Sequence, residues 1–186
     1  TLKNIVTLPF KNVNDCVVLL GKTFCEMGGS EYYHIIHGVE GGVAPKVNMQ
    51  MEKNTISLVL SAIQKNYVNA VHDCSKGGLG VAISLMSIRS NYGVELELSK
   101  VNVENLRLDE LLFSESHSRF IVTSPESTVE KLFELANNHG VPAYNIGKVT
   151  GSPYVVFRHE GNEIINCDLK ELRTAWEKTI PSLMGR

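Results

Sequence analysis

A chain of 186 residues with 43% hydrophobic and 20% charged side chains can bury one sizeable core, and it falls outside the compositions of disordered, collagen-like and membrane-spanning chains. A net charge of −2, with acids and bases interleaved, offers no basic face for nucleic acid or an anionic membrane. The four cysteines (Cys16, Cys25, Cys74, Cys167) form no CxxC pair, which removes zinc-ribbon and thioredoxin-like chemistry and predicts buried thiols in a reducing, cytosolic setting.

Short β-rich runs alternate with helical ones, which predicts an α/β (α+β) fold, a layered mixed β-sheet with helices packed on it. Residues 13 to 20 read as a strand ending at Gly21, and the glycine-rich stretch 28 to 43 as a loop around a brief helix. In that helix Ser30 is placed to cap the start, with Tyr33 and Ile36 packing inward. From 47 to 65, Ile56, Val59, Leu60 and Ile63 fall on one face of a helix. A strand at 68 to 71 then leads through Gly77-Gly78 into a second helix bearing Leu79, Ala82, Ile83 and Met86. Residues 93 to 98 alternate apolar with acidic, the mark of a half-buried strand. A helical stretch near 103 to 112 follows, then a strand at 119 to 123 and a helix carrying Val129, Leu132, Phe133 and Ala136 that stops at Asn138-His139-Gly140. Strands near 146 to 149, 154 to 158 and 163 to 166 precede a last amphipathic helix with Leu169, Leu172 and Trp176. No repeat or linker interrupts the series, so a single domain over 1–186 is expected, and a first residue Thr1 in place of Met suggests a piece of a longer chain.

Two stretches carry candidate chemistry. In Ala70-Val71-His72-Asp73-Cys74-Ser75-Lys76-Gly77-Gly78, a strand delivers His and Asp into a glycine turn before a helix. The glycines permit close backbone approach, the helix start offers N–H groups to an anion, and Asp73 is placed either to cap the helix or to hold Mg²⁺. The structural alternative is a tight turn capped by Asp73 or Ser75. In Phe113-Ser114-Glu115-Ser116-His117-Ser118-Arg119, Glu115 suits a substrate donor and Arg119 a phosphate or Glu115 itself. There the structural alternative has Arg119 tying the segment down through a carboxylate while His117 stays solvated. His34 and His37 lie three apart on the brief helix, with no third metal ligand at a recognisable spacing.

The ordered series LLGKTFCEMGGSEYYHIIHG, GGVAPKVNM, AVHDCSKGGLGVAISLM, LLFSESHSRFIVT, NIGKVTG and LKELRTAWEKTIPSLM resembles the carboxy-terminal domain shared by aminoimidazole ribonucleotide synthetase and the formylglycinamidine synthase large subunit. GGSEYY, ESHSRF and the tryptophan helix look most like the last domain of the synthase's second half. The resemblance implies an ATP- and Mg²⁺-dependent ligase in purine biosynthesis, with nucleotide held largely by upstream domains of the same polypeptide. It also implies a glutaminase subunit and a small third subunit as partners. Carried onto this chain, the ligand-facing set is Asp73, Ser75, Lys76, Gly77, Gly78, Glu115, Ser116, His117 and Arg119, none of them catalytic. Lys76 stands where a second acid is common, His117 where glutamine is, Ser118 where glycine is, and Asn48 where aspartate is. Two other readings remain: a stand-alone phosphate- or nucleotide-binding or interaction module, and part of a related ATP-dependent small-molecule kinase.

Overall fold

The run Cys16–Leu20 forms strand β1, in which Val17 and Leu19 face one way and Val18 and Leu20 the other, all four fully buried. A strand apolar on both faces must lie inside a sheet with cover on both sides, and β1 does. The computed structural model describes residues 4–103 and 105–185. The other strands are β2 (Ala70–Asp73), β3 (Gly93–Glu97), β4 (Phe120–Ser124), β5 (Ala143–Thr150), β6 (Tyr154–His159) and β7 (Asn162–Asp168). They make one seven-stranded sheet in the order β2-β4-β1-β5-β3-β6-β7, antiparallel except for the β3–β6 pair.

Val18 and Leu20 join Val122 of β4 in a cluster with helices α2 (Met49–Gln64) and α5 (Glu126–Asn138). Val17 and Leu19 join Val94, Leu96, Ile121, Val155 and Phe157 in the larger core, beneath helices α3 (Gly78–Ser90), α4 (Leu108–Phe113) and α6 (Leu169–Leu183). The half-buried strand expected at 93 to 98 has Val94 and Leu96 inside and Glu95 exposed. Thus one face of the sheet is covered along its length, while the second is covered only at the β2-β4-β1 end.

Several expectations are corrected. On α2 the buried residues are Thr55, Leu58, Val59 and Ala62, whereas Ile56 and Leu60 are 42% and 54% exposed. Two stripes satisfy the same helical spacing, and the short side chains of Thr55 and Ala62 allow the close approach to α5. The strand expected at 68 to 71 pairs over Ala70–Asp73, which carries His72 and Asp73 onto the sheet. Among the described residues, the helix expected near 103 to 112 is confined to α4, because the Glu110 carboxylate accepts the Arg107 N–H at 2.9 Å and fixes the start there; position 104 lies outside the described residues. Of the thiols only Cys74 is buried, and Cys25 is exposed.

Candidate functional site

The antiparallel pairing of β2 with β4 sets Asp73 opposite Phe120, so the turn that leaves β2 lies beside the segment that enters β4. The Cys74 N–H donates to the Arg119 carbonyl at 3.0 Å and extends that pairing past the strand ends. The two stretches singled out by sequence therefore meet. Between them is a concavity of about 340 Å³ lined by Asp73, Ser75, Lys76 and His117, with Pro45 and Glu52 closing its far side.

Within it the side chains divide sharply. Asp73, Ser75, Lys76 and His117 are exposed. Asp73 Oδ1 lies 3.3 Å from His72 Nδ1, and burial of the half-covered His72 ring holds its pKa below the usual imidazole value, with Asp73 opposing. Lys76 Nζ sits 2.6 Å from Glu31 Oε1; the contact raises the lysine pKa and lowers that of the glutamate.

The remaining predicted residues point into the protein. Glu115 Oε1 accepts the Gly77 N–H and the Glu31 N–H, each at 2.9 Å. One oxygen thus caps the starts of α3 and of the brief helix α1 (Glu31–His37). Neither Asp73 nor Ser75 caps α3; its N-cap residue is Gly77, at a left-handed φ of 77° and with no side chain of its own to bond the first turn. The Gly78 N–H donates to the Ser75 carbonyl at 3.0 Å, so the Gly77 and Gly78 amides at the head of α3 are bonded within the chain. A Cβ on Gly78, itself at φ 62°, would lie 2.5 Å from the Ser114 carbonyl oxygen, which explains a glycine where α3 and the end of α4 touch.

Ser116 is fully buried and its hydroxyl accepts the Phe24 N–H at 3.1 Å. Arg119 is 2% exposed, and its guanidinium donates to the carbonyls of Ser116 and Ser114 and to Thr23 Oγ1. Among the described residues it makes no bond to Glu115, and what it ties down is two main-chain carbonyl oxygens and one hydroxyl oxygen, with no carboxylate among them. Burial lowers its pKa, which hydrogen bonds to several oxygens make tolerable. Ser118 has φ 60° and its hydroxyl donates to Glu52 Oε2, so a residue in the left-handed region, where glycine is least strained, is held by a side-chain bond. Asn48 caps α2, accepting from the Gln50 and Met51 N–H groups, a task its amide oxygen performs as an aspartate would. Ser30 caps α1 as expected, but that helix buries no residue and Ile36 is exposed.

For Mg²⁺ the fit is poor within this chain. Among the described residues no group of three or more His, Cys, Asp or Glu is placed to hold an ion, and His34 faces Glu40 at 3.3 Å. Sequence reasoning missed Glu31, Glu52 and Thr23. They lie 45, 66 and 96 residues from Lys76, Ser118 and Arg119 respectively, and no local spacing announces such partners.

The family model described as AIR synthase related protein, C-terminal domain, matches residues 12–160. Phosphoribosylformylglycinamidine synthase subunit PurL of Thermococcus sibiricus is 40% identical over 99% of this chain, and that of Methanococcus aeolicus is 37% identical over all of it. The chain spans about a quarter of the length of each of these relatives, 25% in both cases. Among solved structures, Thermotoga maritima PurL complexed with FGAR superposes with a TM-score of 0.83 at 18% identity, over 91% of this chain and 29% of that one. The sheet order, the paired glycines between β2 and α3 and the buried serine-arginine segment thus sit in a fold with known relatives, and the chain belongs to the AIR synthase related protein, C-terminal domain family.

Proposed function

We propose that this chain is one domain of an ATP-dependent synthase that converts formylglycinamide ribonucleotide to formylglycinamidine ribonucleotide in de novo purine biosynthesis, and that it is incomplete as an enzyme. The observation that carries this reading is the 40% identity to a PurL subunit over 99% of the chain. It is supported by solved T. maritima PurL structures, of the same fold, complexed with ATP and with FGAR.

In that reaction ATP activates the substrate amide oxygen and ammonia displaces phosphate from the activated carbon. This chain contributes position and charge around the cleft. Asp73, Ser75, Lys76 and His117 are its ligand-facing side chains. Gly77, Gly78, Glu115, Ser116 and Arg119 shape the wall behind them. Upstream domains hold the nucleotide and Mg²⁺, and a glutaminase subunit with a small third subunit completes the complex, as the T. maritima PurLQS assembly suggests. A cytoplasmic setting fits the chemistry, and among the described residues no helix is long and apolar enough to cross a membrane.

Calorimetric titration of the isolated chain with Mg·ATP, ADP and inorganic phosphate tests the incompleteness. The reading predicts no binding tighter than millimolar. Micromolar binding of phosphate or nucleotide would instead favour a stand-alone module with an anion site at the start of α3.

A further inference from the structure

Away from the two site stretches, the less covered face of the sheet carries a second hollow, of about 480 Å³. It forms where the cover supplied by α5 ends. Glu126, the first residue of α5, stands on one side, and Lys100, in the single helical turn Leu98–Lys100 that follows β3, stands on the other. Between them lie residues of β1, β5 and β3. The β1–β5 register shifts there: Val17 and Val18 face Gly147 and Asn145, so Ile146 is an extra residue and β5 bulges. Gly147 brings β5 against β3, where a Cβ would lie 2.0 Å from the Glu95 carbonyl oxygen. Bulges are enriched beside functional sites because they re-aim side chains. At this one the Asn145 side chain hydrogen-bonds the half-buried Cys16 thiol.

The hollow holds charges of both signs, and some are already committed. The Glu97 carboxylate accepts the N–H groups of Ser99, Glu160 and Gly161, and Arg158 pairs with Glu163 at 3.3 Å. Lys100, Lys148, Glu95 and Glu126 are exposed, and among the described residues none of these four forms an ion pair. Glu95 and Lys148 face each other across the β3–β5 pairing without closing to one. The Cys16 thiol feels both sides of the hollow: burial is the main cause that raises its pKa, Glu126 adds to the rise and Lys100 opposes it. A lone anion here would meet two carboxylates along with two ammonium groups, and a lone cation the reverse. A molecule that carries both signs satisfies all four.

We propose that this hollow binds a small zwitterion, an amino acid or ω-amino acid, with its carboxylate on Lys100 and Lys148 and its ammonium on Glu126 and Glu95. The volume falls in the range of small-molecule pockets, roughly 300–1,000 Å³. Asn14 and Asn145 supply neutral donors and acceptors between the charged ends. Exposed ion pairs are individually weak, so four of them support a dissociation constant of about 1 mM. The proposal stands apart from the synthase reading, since it uses no residue of the concavity and no reaction.

The test titrates the ¹⁵N-labelled chain, at constant ionic strength, with glycine, 4-aminobutyrate and 6-aminohexanoate, and separately with acetate and methylammonium, while amide shifts are followed by NMR. At least one zwitterion is expected to move the amides of Cys16, Glu95 and 145–148 with a dissociation constant of about 1 mM, at least about tenfold tighter than acetate or methylammonium. Lys148→Gln and Glu126→Gln should each weaken that binding at least about fivefold, and Arg158→Gln, whose charge is spent on Glu163, should leave it within about twofold. Unchanged amide shifts in β4 and α3 show that a loss of binding is not unfolding. Acetate or methylammonium binding as tightly as the best zwitterion overturns the two-signed site. So do shifts confined to 73–77, or no shift at 145–148 with any zwitterion up to about 20 mM.

Discussion

Glu115 joins two helix starts beside the concavity. One carboxylate oxygen accepts two backbone N–H groups, at the starts of α1 and α3, and no other side chain caps the start of α3. A charge-assisted hydrogen bond is worth about 1.5–3 kcal/mol, and loss of a helix N-cap about 1 kcal/mol. Glu115 is half-buried, so the lower end applies, and Glu115→Ala should cost about 3 kcal/mol. For a chain of this size that is a fall in melting temperature of about 6–12 °C. Glu115→Gln keeps an acceptor oxygen without the charge and should cost about 1 kcal/mol. Urea unfolding followed by circular dichroism, with thermal melts in parallel, measures both. If alanine costs under about 0.5 kcal/mol, or glutamine costs as much as alanine, the shared cap is not what holds the turn.

Three further outcomes follow from the same geometry. Arg119→Lys cannot reproduce donation to Ser114, Ser116 and Thr23 from one buried group, and should cost about 2–4 kcal/mol by urea unfolding. Leu58→Ala should cost about 2–5 kcal/mol and Leu60→Ala under about 1 kcal/mol, a direct reading of which α2 stripe is buried. Glu97 accepts from the Ser99 hydroxyl and from the N–H groups of Ser99, Glu160 and Gly161, and these bonds hold its pKa down to about 2 from the ordinary 4.5. A depressed carboxylate pKa stabilises the fold above the unfolded value, and that contribution is lost as pH falls through the folded one. The unfolding midpoint should therefore drop between pH 4.5 and 2, and Glu97→Gln should flatten that part of the profile by lowering its neutral limb toward the acid one.

What sequence made legible and what it hid divide along physical lines. β1, α3 and α5 were readable because their apolar spacing has one solution: Leu79, Ala82, Ile83 and Met86 are all buried as the period requires. On α2 two stripes compete, and only packing against α5 selects Leu58 and Ala62 over Ile56 and Leu60. The candidate site was legible as two glycine- and hydroxyl-rich stretches because motif order carries that information. Which of its residues face outward was not, since it depends on partners such as Thr23 and Glu31 that only the β2–β4 pairing and its flanking loops bring near. The carboxylate most inviting as a ligand group, Glu115, is thus spent on the backbone, and the arginine beside it on carbonyls.

The central claim is that this chain is a working wall of a larger amidine-forming synthase. A chimera in which this chain replaces the matching quarter of the full-length T. sibiricus relative, assayed for formylglycinamidine ribonucleotide with ATP, formylglycinamide ribonucleotide and ammonia, measures it most directly. The account predicts a rate within about tenfold of the parent relative, since about 1.4 kcal/mol of misfit is what a 40%-identical graft must stay below, and none from the isolated chain. Turnover by the isolated chain, or a folded chimera with no product, would contradict it.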